Sequence, residues 1–322
     1  MKTVQEQNAE QNEVFQNNLD YEIKNKDIIV RHIKEADKYL KLEDNNEFSN
    51  GLVIIVPRGI KTMLKITKEL SEEITEKNII VIEENSELLI EYTIKNKTAE
   101  ANVINSFILK ENSRCRIKEL HFGDENASIN VTNEIAIDMG ASMVRTAVLL
   151  AEGENNITVN GYLNGENAEI SNNELFFGNK VHKSDSVTNI LHAAPKTRSR
   201  INVRGIMLGA STSFVHGTVK IVKSAVKSNT FLNAHALLLS KDATARIIPA
   251  LEIENSDVQA GHSASAAPIE EEHIFYLMSR GIERENAEKI IAKGFVARAL
   301  DDLDANDIEE IIKIIEEKWN KK

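Results

Sequence analysis

Cysteine is almost absent from this chain, with one residue, Cys115, in 322. A single thiol excludes an internal disulfide framework and any four-cysteine metal site within one copy. Prolines number four and aromatic residues make up only 5%, so the core must be aliphatic, built from Ile, Val, Leu and Ala. No run of 18 apolar residues occurs, and the opening MKTVQEQNAEQNEVFQNN lacks the apolar centre of a signal peptide. The expectation is a soluble, cytoplasmic protein with no membrane association. Positive charge is scarce too: 39 Lys and Arg stand against 50 Asp and Glu, a net charge of −11. Nucleic-acid phosphates would be repelled, and the densest basic runs, near Lys95–Lys97 and Lys220–Lys227, are short. No G-x-x-x-x-G-K-[ST] phosphate loop and no G-x-S-x-G nucleophile elbow is present. The chain is therefore expected to bind no nucleotide by that route.

What the sequence does contain is β-branched alternation. LVIIVPRG (52–59), NIIVIEENSELLIEYTI (78–94), NVINSFILKENSRCRIKEL (102–120) and SINVTNEIAIDMG (128–140) are short and alternating, and small polar turns separate them. Three of those turns recur at near-equal distance: Asn85 to Asn112 is 27 residues and Asn112 to Gly140 is 28. One coil cannot bury its apolar face alone, but aligned coils make a continuous aliphatic column, and Asn and Gly suit corners that need a left-handed backbone. A β-solenoid is the reading, with a large antiparallel sandwich as the alternative. Before it, residues 1–20 are polar, and Ile28, Ile29, His32, Ile33 and Ala36 are spaced for a modest helix within Tyr21–Leu42.

After Pro268 the pattern turns helical. Glu270, Glu271 and Glu272 suit a helix start and Gly281 its end, a second helix runs from Glu283 and stops at Gly294, and a last one spans Asn306–Trp319. The organisation read from the chain is thus a segment 1–49, a β body 50–266 and a helical tail 267–322.

Several stretches, in order, resemble the SufB/SufD proteins of iron–sulfur cluster assembly. They are HAAPKTRSRINVRGI (192–206), SFVHGTVKI (213–221), ALLLSKDATARIIPALEIENSDVQAGHSAS (236–265) and EEEHIFYLMSRGI (270–282), closed by Gly294-Phe295. The resemblance covers about residues 50–296. It implies a mainly β fold, a right-handed parallel β-helix flanked by short N- and C-terminal α-helical segments. It also implies a non-enzymatic scaffold or accessory subunit that works with a SufC-like ABC ATPase. Dimerisation with a second copy or a homologue through the C-terminal end of the β-helix, and a transient iron–sulfur cluster at that interface, are implied as well.

His262 falls on the histidine that the SufD branch offers as a cluster ligand. A neutral imidazole is a competent iron ligand, and a site shared between two chains needs few residues from each. The family's cysteines are missing here: Asn233-Ala234-His235-Ala236 stands where the SufB branch has one, and Ala260 where SufD has one. His235 is the second metal candidate, as a nitrogen substitute for the lost thiolate. Cys115 lies between Arg114 and Arg116, but alternation points it away from both, so it reads as buried filler. Phe275, Tyr276, Arg280, Gly281 and Phe295 are the expected ATPase-binding residues, with Ile274, Phe275 and Leu277 packing the helix on the end of the β-helix. Two other functions compete: a purely structural subunit without cluster binding, and a carbohydrate-active β-helix enzyme. The latter would need clustered carboxylates and aromatics along its coils; Glu252 and Glu254, alternating onto one face, are the nearest pair.

Overall fold

The computed structural model describes residues 19–23, 27–38, 50–97 and 100–320. In chain order its strands are β1 (Leu19–Ile23), β2 (Ile29–His32), β3 (Leu52–Val56), β4 (Lys61–Leu70), β5 (Ile74–Ile82), β6 (Glu87–Asn96), β7 (Glu100–Leu109), β8 (Arg114–Gly123) and β9 (Ser128–Ile137). They continue with β10 (Ser142–Leu149), β11 (Glu154–Leu163), β12 (Glu169–Gly178), β13 (Lys183–His192), β14 (Arg198–Met207), β15 (Thr212–Ile221), β16 (Asn229–Leu238), β17 (Thr244–Ile253) and β18 (Gln259–Ala267). Three helices follow: α1 (Glu271–Ser279), α2 (Arg284–Ala297) and α3 (Ala305–Trp319).

From β3 onward each strand pairs in parallel with the strand two places ahead, so even-numbered strands build one sheet and odd-numbered strands another. The result is a parallel β-solenoid, the fold that the turn spacing predicts. Only β1 on β4 and β2 on β3 run antiparallel. Of the helix expected within Tyr21–Leu42, the described residues show a strand at 29–32 and a six-residue 3-10 helix at Ile33–Lys38. The spacing of Ile28, Val30 and Ile33 serves burial equally well from an extended backbone, and the pairing to β3 decides the contest. The polar residues 1–18 lie outside the described residues.

One corner of the solenoid shows how the sequence sets the coil. Gly59, Asn85, Asn112, Gly140, Asn167, Lys196 and Lys227 all have φ between 55° and 75°, each two residues before an even-numbered strand. The first six donate their backbone N–H to the carbonyl of the residue preceding the next corner, and Lys227 donates to that of Asp257. Asn85 reaches the Glu111 carbonyl at 3.0 Å, Asn112 that of Met139 at 2.9 Å, and Lys196 that of Val226 at 2.8 Å. Asn and Gly tolerate this left-handed backbone, whereas the lysines occupy it at a cost of ~1–2 kcal/mol each.

Inside, the column is aliphatic, with Leu64, Ile90, Ile117, Val131, Val159 and Val203 among its buried members. Close fit is visible at Gly205, where an added Cβ would lie 2.0 Å from the Phe176 ring that stacks above it. A polar seam interrupts the column. Asn78 donates to Asn105 (2.9 Å) and Asn105 to Asn133 (3.0 Å), Lys68 pairs with Glu76, and Arg145 bridges Glu119 and Glu174.

The position of the second and third helices was not fixed by the sequence. They lie against the outer face of the even-numbered sheet. Ala292 and Val296 of α2 and Ile311, Ile315 and Trp319 of α3 bury against Leu120, Val148, Leu150, Leu175, Phe177, Ile206 and Leu208. Polar ties fasten the edges: Lys118–Asp307 at 2.5 Å, Lys318–Glu152 at 3.0 Å and Asn173–Asp302 at 2.5 Å. Asp304 caps α3 by accepting from the Asp307 N–H, α2 runs past Gly294 to Ala297, and Gly281 (φ 84°) follows the end of α1 as expected.

Candidate functional site at the open end of the solenoid

The two ends of the column differ. At the N-terminal end the antiparallel β2 closes over β3 and buries Ile28 and Val30 in the core. At the other end β17 and β18 are the last strands of their sheets and nothing in the described chain covers them. On β17, Ile247, Leu251 and Ile253 continue the column of Val215, Val219 and Ile221, yet Ile247 and Leu251 are half-buried and Ile253 is 39% exposed. On β18, Ala260, His262, Ala264 and Ala266 continue the column of Thr230, Leu232, Ala234 and Ala236, and all four are exposed. A solenoid needs a polar cap at each terminus to stay soluble and paired. This one has an aliphatic core cut open across two bare strand edges.

His262 sits on that cut surface. It is in register with Leu232, whose side chain is in the core column, so the imidazole emerges where the column ends. His235 faces the opposite side of the same sheet. Its Nδ1 lies 2.7 Å from the Ser265 hydroxyl and its Nε2 3.0 Å from that of Ser263, both on β18. Burial first, then the charges of Arg204 and Arg298, push its imidazole below the ordinary range. The structure thus does not bring the two histidines together. Among the described residues no group of three or more His, Cys, Asp and Glu converges to hold a metal.

Cys115 is buried on the core face, and burial followed by the nearby Glu119 pushes its thiol up, the reverse of a reactive thiolate. Glu252 and Glu254 both lie near Lys220 Nζ, at 3.6 and 3.4 Å, as a surface ion pair rather than an acid/base couple.

Helix α1 begins at the base of β18. Ile274 is its buried residue, packed with Ile269, Ala287 and the ends of β16, and Leu277 lies beside it. Phe275, read both as a partner-binding and as a packing residue, is 71% exposed, and Tyr276 is 58% exposed with the Arg280 guanidinium 5.5 Å from its ring centre. Gly281 is exposed, whereas Phe295 is half-buried on α2 beneath Arg204. So Phe275, Tyr276, Arg280 and Gly281 are available to a partner and Phe295 is largely committed.

Two features escaped the sequence reading. One is the buried centre around Arg145, whose guanidinium donates to Glu119 (2.7 and 3.1 Å), Glu174 (2.9 Å) and Asn172 (2.8 Å). Burial would raise the Glu119 carboxyl, but Arg145 and His121 outweigh it and hold it at about 2. A charged residue at a core position of an alternating strand is the signal that would have found it. The other is the covered outer strip: HF, VLLA, ELFF, GIML and ALLL, at the C-terminal ends of β8, β10, β12, β14 and β16, lose alternation. Both faces are apolar there because helices cover the outside.

No helix among the described residues is long and apolar enough to cross a membrane. The family model for the SUF system FeS cluster assembly SufBD core domain matches residues 65–295. An iron–sulfur cluster assembly SufBD family protein of Pyrococcus horikoshii is 31% identical over 245 residues, 74% of this chain and 54% of the relative. The cluster assembly protein SufD of Bacillus subtilis is 27% identical over 228 residues (70% and 52%), and SufB of the same organism 25% over 288 (84% and 61%). The chain therefore spans between half and two-thirds of the length of these relatives. With a core-domain match over most of the solenoid and α1–α2, this chain belongs to the SufBD family.

Proposed function

We propose that this chain is a non-catalytic subunit of a cytoplasmic iron–sulfur cluster assembly complex. It pairs with a second SufB/SufD-type solenoid, its own copy or a homologue, across β17 and β18. The observation that carries this reading is the asymmetry of the ends: one is closed by β2, the other leaves core positions and strand edges bare. A second solenoid supplies both missing elements, hydrogen-bond partners for the edges and apolar cover for Ile247, Leu251 and Ile253.

In such a pair His262 lies at the seam, where it contacts an iron–sulfur cluster as cargo together with ligands from the other subunit. His262 rather than His235 takes this role, since both nitrogens of His235 are held by serines and its charged neighbours are arginines. One imidazole with no thiolate is a weak Fe–S anchor, so the partner supplies the sulfur ligands. A SufC-like ABC ATPase docks on α1, where Phe275, Tyr276 and Arg280, residue types enriched at interfaces, project outward with Gly281 beside them.

Light scattering on the chain alone, and mixed with a second SufB/SufD-type subunit, tests the pairing. A two-solenoid species that Ala264→Glu reduces to single subunits is expected, and a species indifferent to that charge overturns it. Anaerobic reconstitution with iron and sulfide compares the assembled complex with its His262→Ala form. Equal cluster absorbance in both removes His262 from the site. Tyr276→Ala with Arg280→Glu should abolish co-purification of the ATPase without changing the melting temperature; retained binding refutes the α1 assignment.

A further inference from the structure

Along the corners and rungs of the solenoid, many exposed cations have carboxylate partners. Lys61 reaches Glu87 at 2.9 Å, Arg114 the same Glu87 at 3.4 Å, Lys183 Glu154 at 2.8 Å and Lys196 Glu166 at 2.7 Å. Among the described residues Arg204 and Arg298 have none, in a chain with a surplus of acids. Arg204 faces outward from β14, in register with His235, which is in register with Ser265. Its guanidinium carbon lies 4.9 Å from the centre of the Phe295 ring of α2, and Arg298, three residues on, caps that helix. Among the described residues neither guanidinium has a carboxylate within 4.0 Å, and the Arg204 Nε–H is buried without an acceptor.

An orphaned buried donor is costly, more so on a charged group, and natural structures rarely leave one unanswered. The neighbours do not answer it. His235 is occupied by Ser263 and Ser265, and Asn202 and Asn233 are engaged with Asn173 and each other along their own rung. Phe295 fixes the plane of Arg204 by stacking, which leaves the edges of the fork free to donate. Burial and the charge of Arg298 both act against the cationic form of Arg204, and among the described residues no carboxylate within 4.0 Å offsets the double positive charge.

We propose that Arg204 and Arg298 form an oxyanion-binding site between the outer face of β14 and the end of α2, taking a single phosphate or carboxylate group. An oxyanion supplies the lone pairs that the Nε–H lacks, accepts from two forks at once and neutralises two cations. The same two charges make the neighbourhood of His235 unfavourable for a bare metal cation. This site does not depend on the cluster-assembly reading.

The test uses the full chain with its arginine side chains labelled with ¹⁵N, titrated at constant ionic strength with inorganic phosphate, adenosine monophosphate and succinate. Saturable movement of the Arg204 Nε–H resonance by at least one of them is expected, weakened ~10-fold or more by Arg298→Gln and by Arg204→Lys. Arg298 is exposed, so its substitution should leave the unliganded melting temperature in place. Tightest binding by phosphate, by the nucleotide or by the dicarboxylate each supports the site and assigns the source of the anion. No saturable movement with any of the three, or unchanged affinity in Arg298→Gln, overturns it.

Discussion

Replacing Arg145 with methionine removes the guanidinium that bridges two buried carboxylates. Arg145, Glu119 and Glu174 have no solvent exposure, and the guanidinium makes four hydrogen bonds to Glu119, Asn172 and Glu174. The methionine fills most of the volume, so the loss is electrostatic rather than steric. Two estimates agree. Breaking a buried ion pair from one side costs ~3–5 kcal/mol. A Glu119 carboxyl at about 2 against an ordinary 4.5 corresponds to ~3 kcal/mol of linked stability. The sign follows from the depressed value. In the wild type this contribution is complete above pH 4.5 and fades as pH falls toward 2. Without Arg145, burial raises the Glu119 carboxyl, the folded state holds a proton that the unfolded state releases, and the variant loses stability as pH rises. Urea unfolding at pH 7 and pH 5 should therefore show a deficit of ~3–5 kcal/mol that shrinks at the lower pH. Adding Glu119→Gln and Glu174→Gln should recover much of it at pH 7. A deficit below ~1 kcal/mol, or one that does not change with pH, would refute the assignment of a charged, net-stabilised centre.

Other consequences can be checked in the same way. Burial pushes His192 and His182 down to about 4, so unfolded imidazoles take up protons near 6.5 that the folded ones refuse. Stability should be level above pH 6.5 and fall toward pH 4, with the slope reduced in His192→Gln; a slope that persists unchanged would rule His192 out as its source. Lys196→Gly relieves a left-handed backbone at φ 57° and should change stability by ~0 to +1 kcal/mol, whereas Asn112→Val should lose ~1–2 kcal/mol on thermal melting. Gly205→Ala forces a Cβ onto the Phe176 ring and should cost ~1–3 kcal/mol, and Phe176→Leu in the same chain should return part of it. Trp319 is the chain's single tryptophan and is buried under the tail. Ile315→Ala should detach α3, expose that indole and shift its emission to the red; an unchanged spectrum would mean the tail holds by its polar ties.

How much of this was legible depended on which residues carried the instruction. The coil period was readable where Asn85, Asn112 and Gly140 took the left-handed corner, because those residue types advertise it. It faded where Lys196 and Lys227 occupy the same backbone position, since nothing in a lysine signals a turn. The helices were readable from their caps, but their resting place was not. That required seeing that VLLA and ELFF, on different strands, form one strip across the sheet. The segment around Ile29 was misread because four apolar residues in six positions satisfy a helix and a strand equally, and only pairing with β3 separates them. For the site, exposure was the missing quantity: Phe275 and Ile274 are adjacent in sequence and opposite in fate.

The strip under the tail has a consequence for synthesis. Coils can close behind the ribosome one at a time, each bonding to its predecessor, so most of the solenoid need not wait for the rest of the chain. The outer face is different. Leu120 emerges about 200 residues before Trp319, and at ~5–20 residues per second the bare strip waits roughly 10–40 s for its cover. During that interval a nearly finished solenoid carries an aliphatic band that widens with every coil from β8 to β16. A nascent chain of this kind is a client for whatever shields apolar surface at the exit tunnel. Codon changes that slow translation between β16 and α3 should lower its soluble yield without altering a single residue.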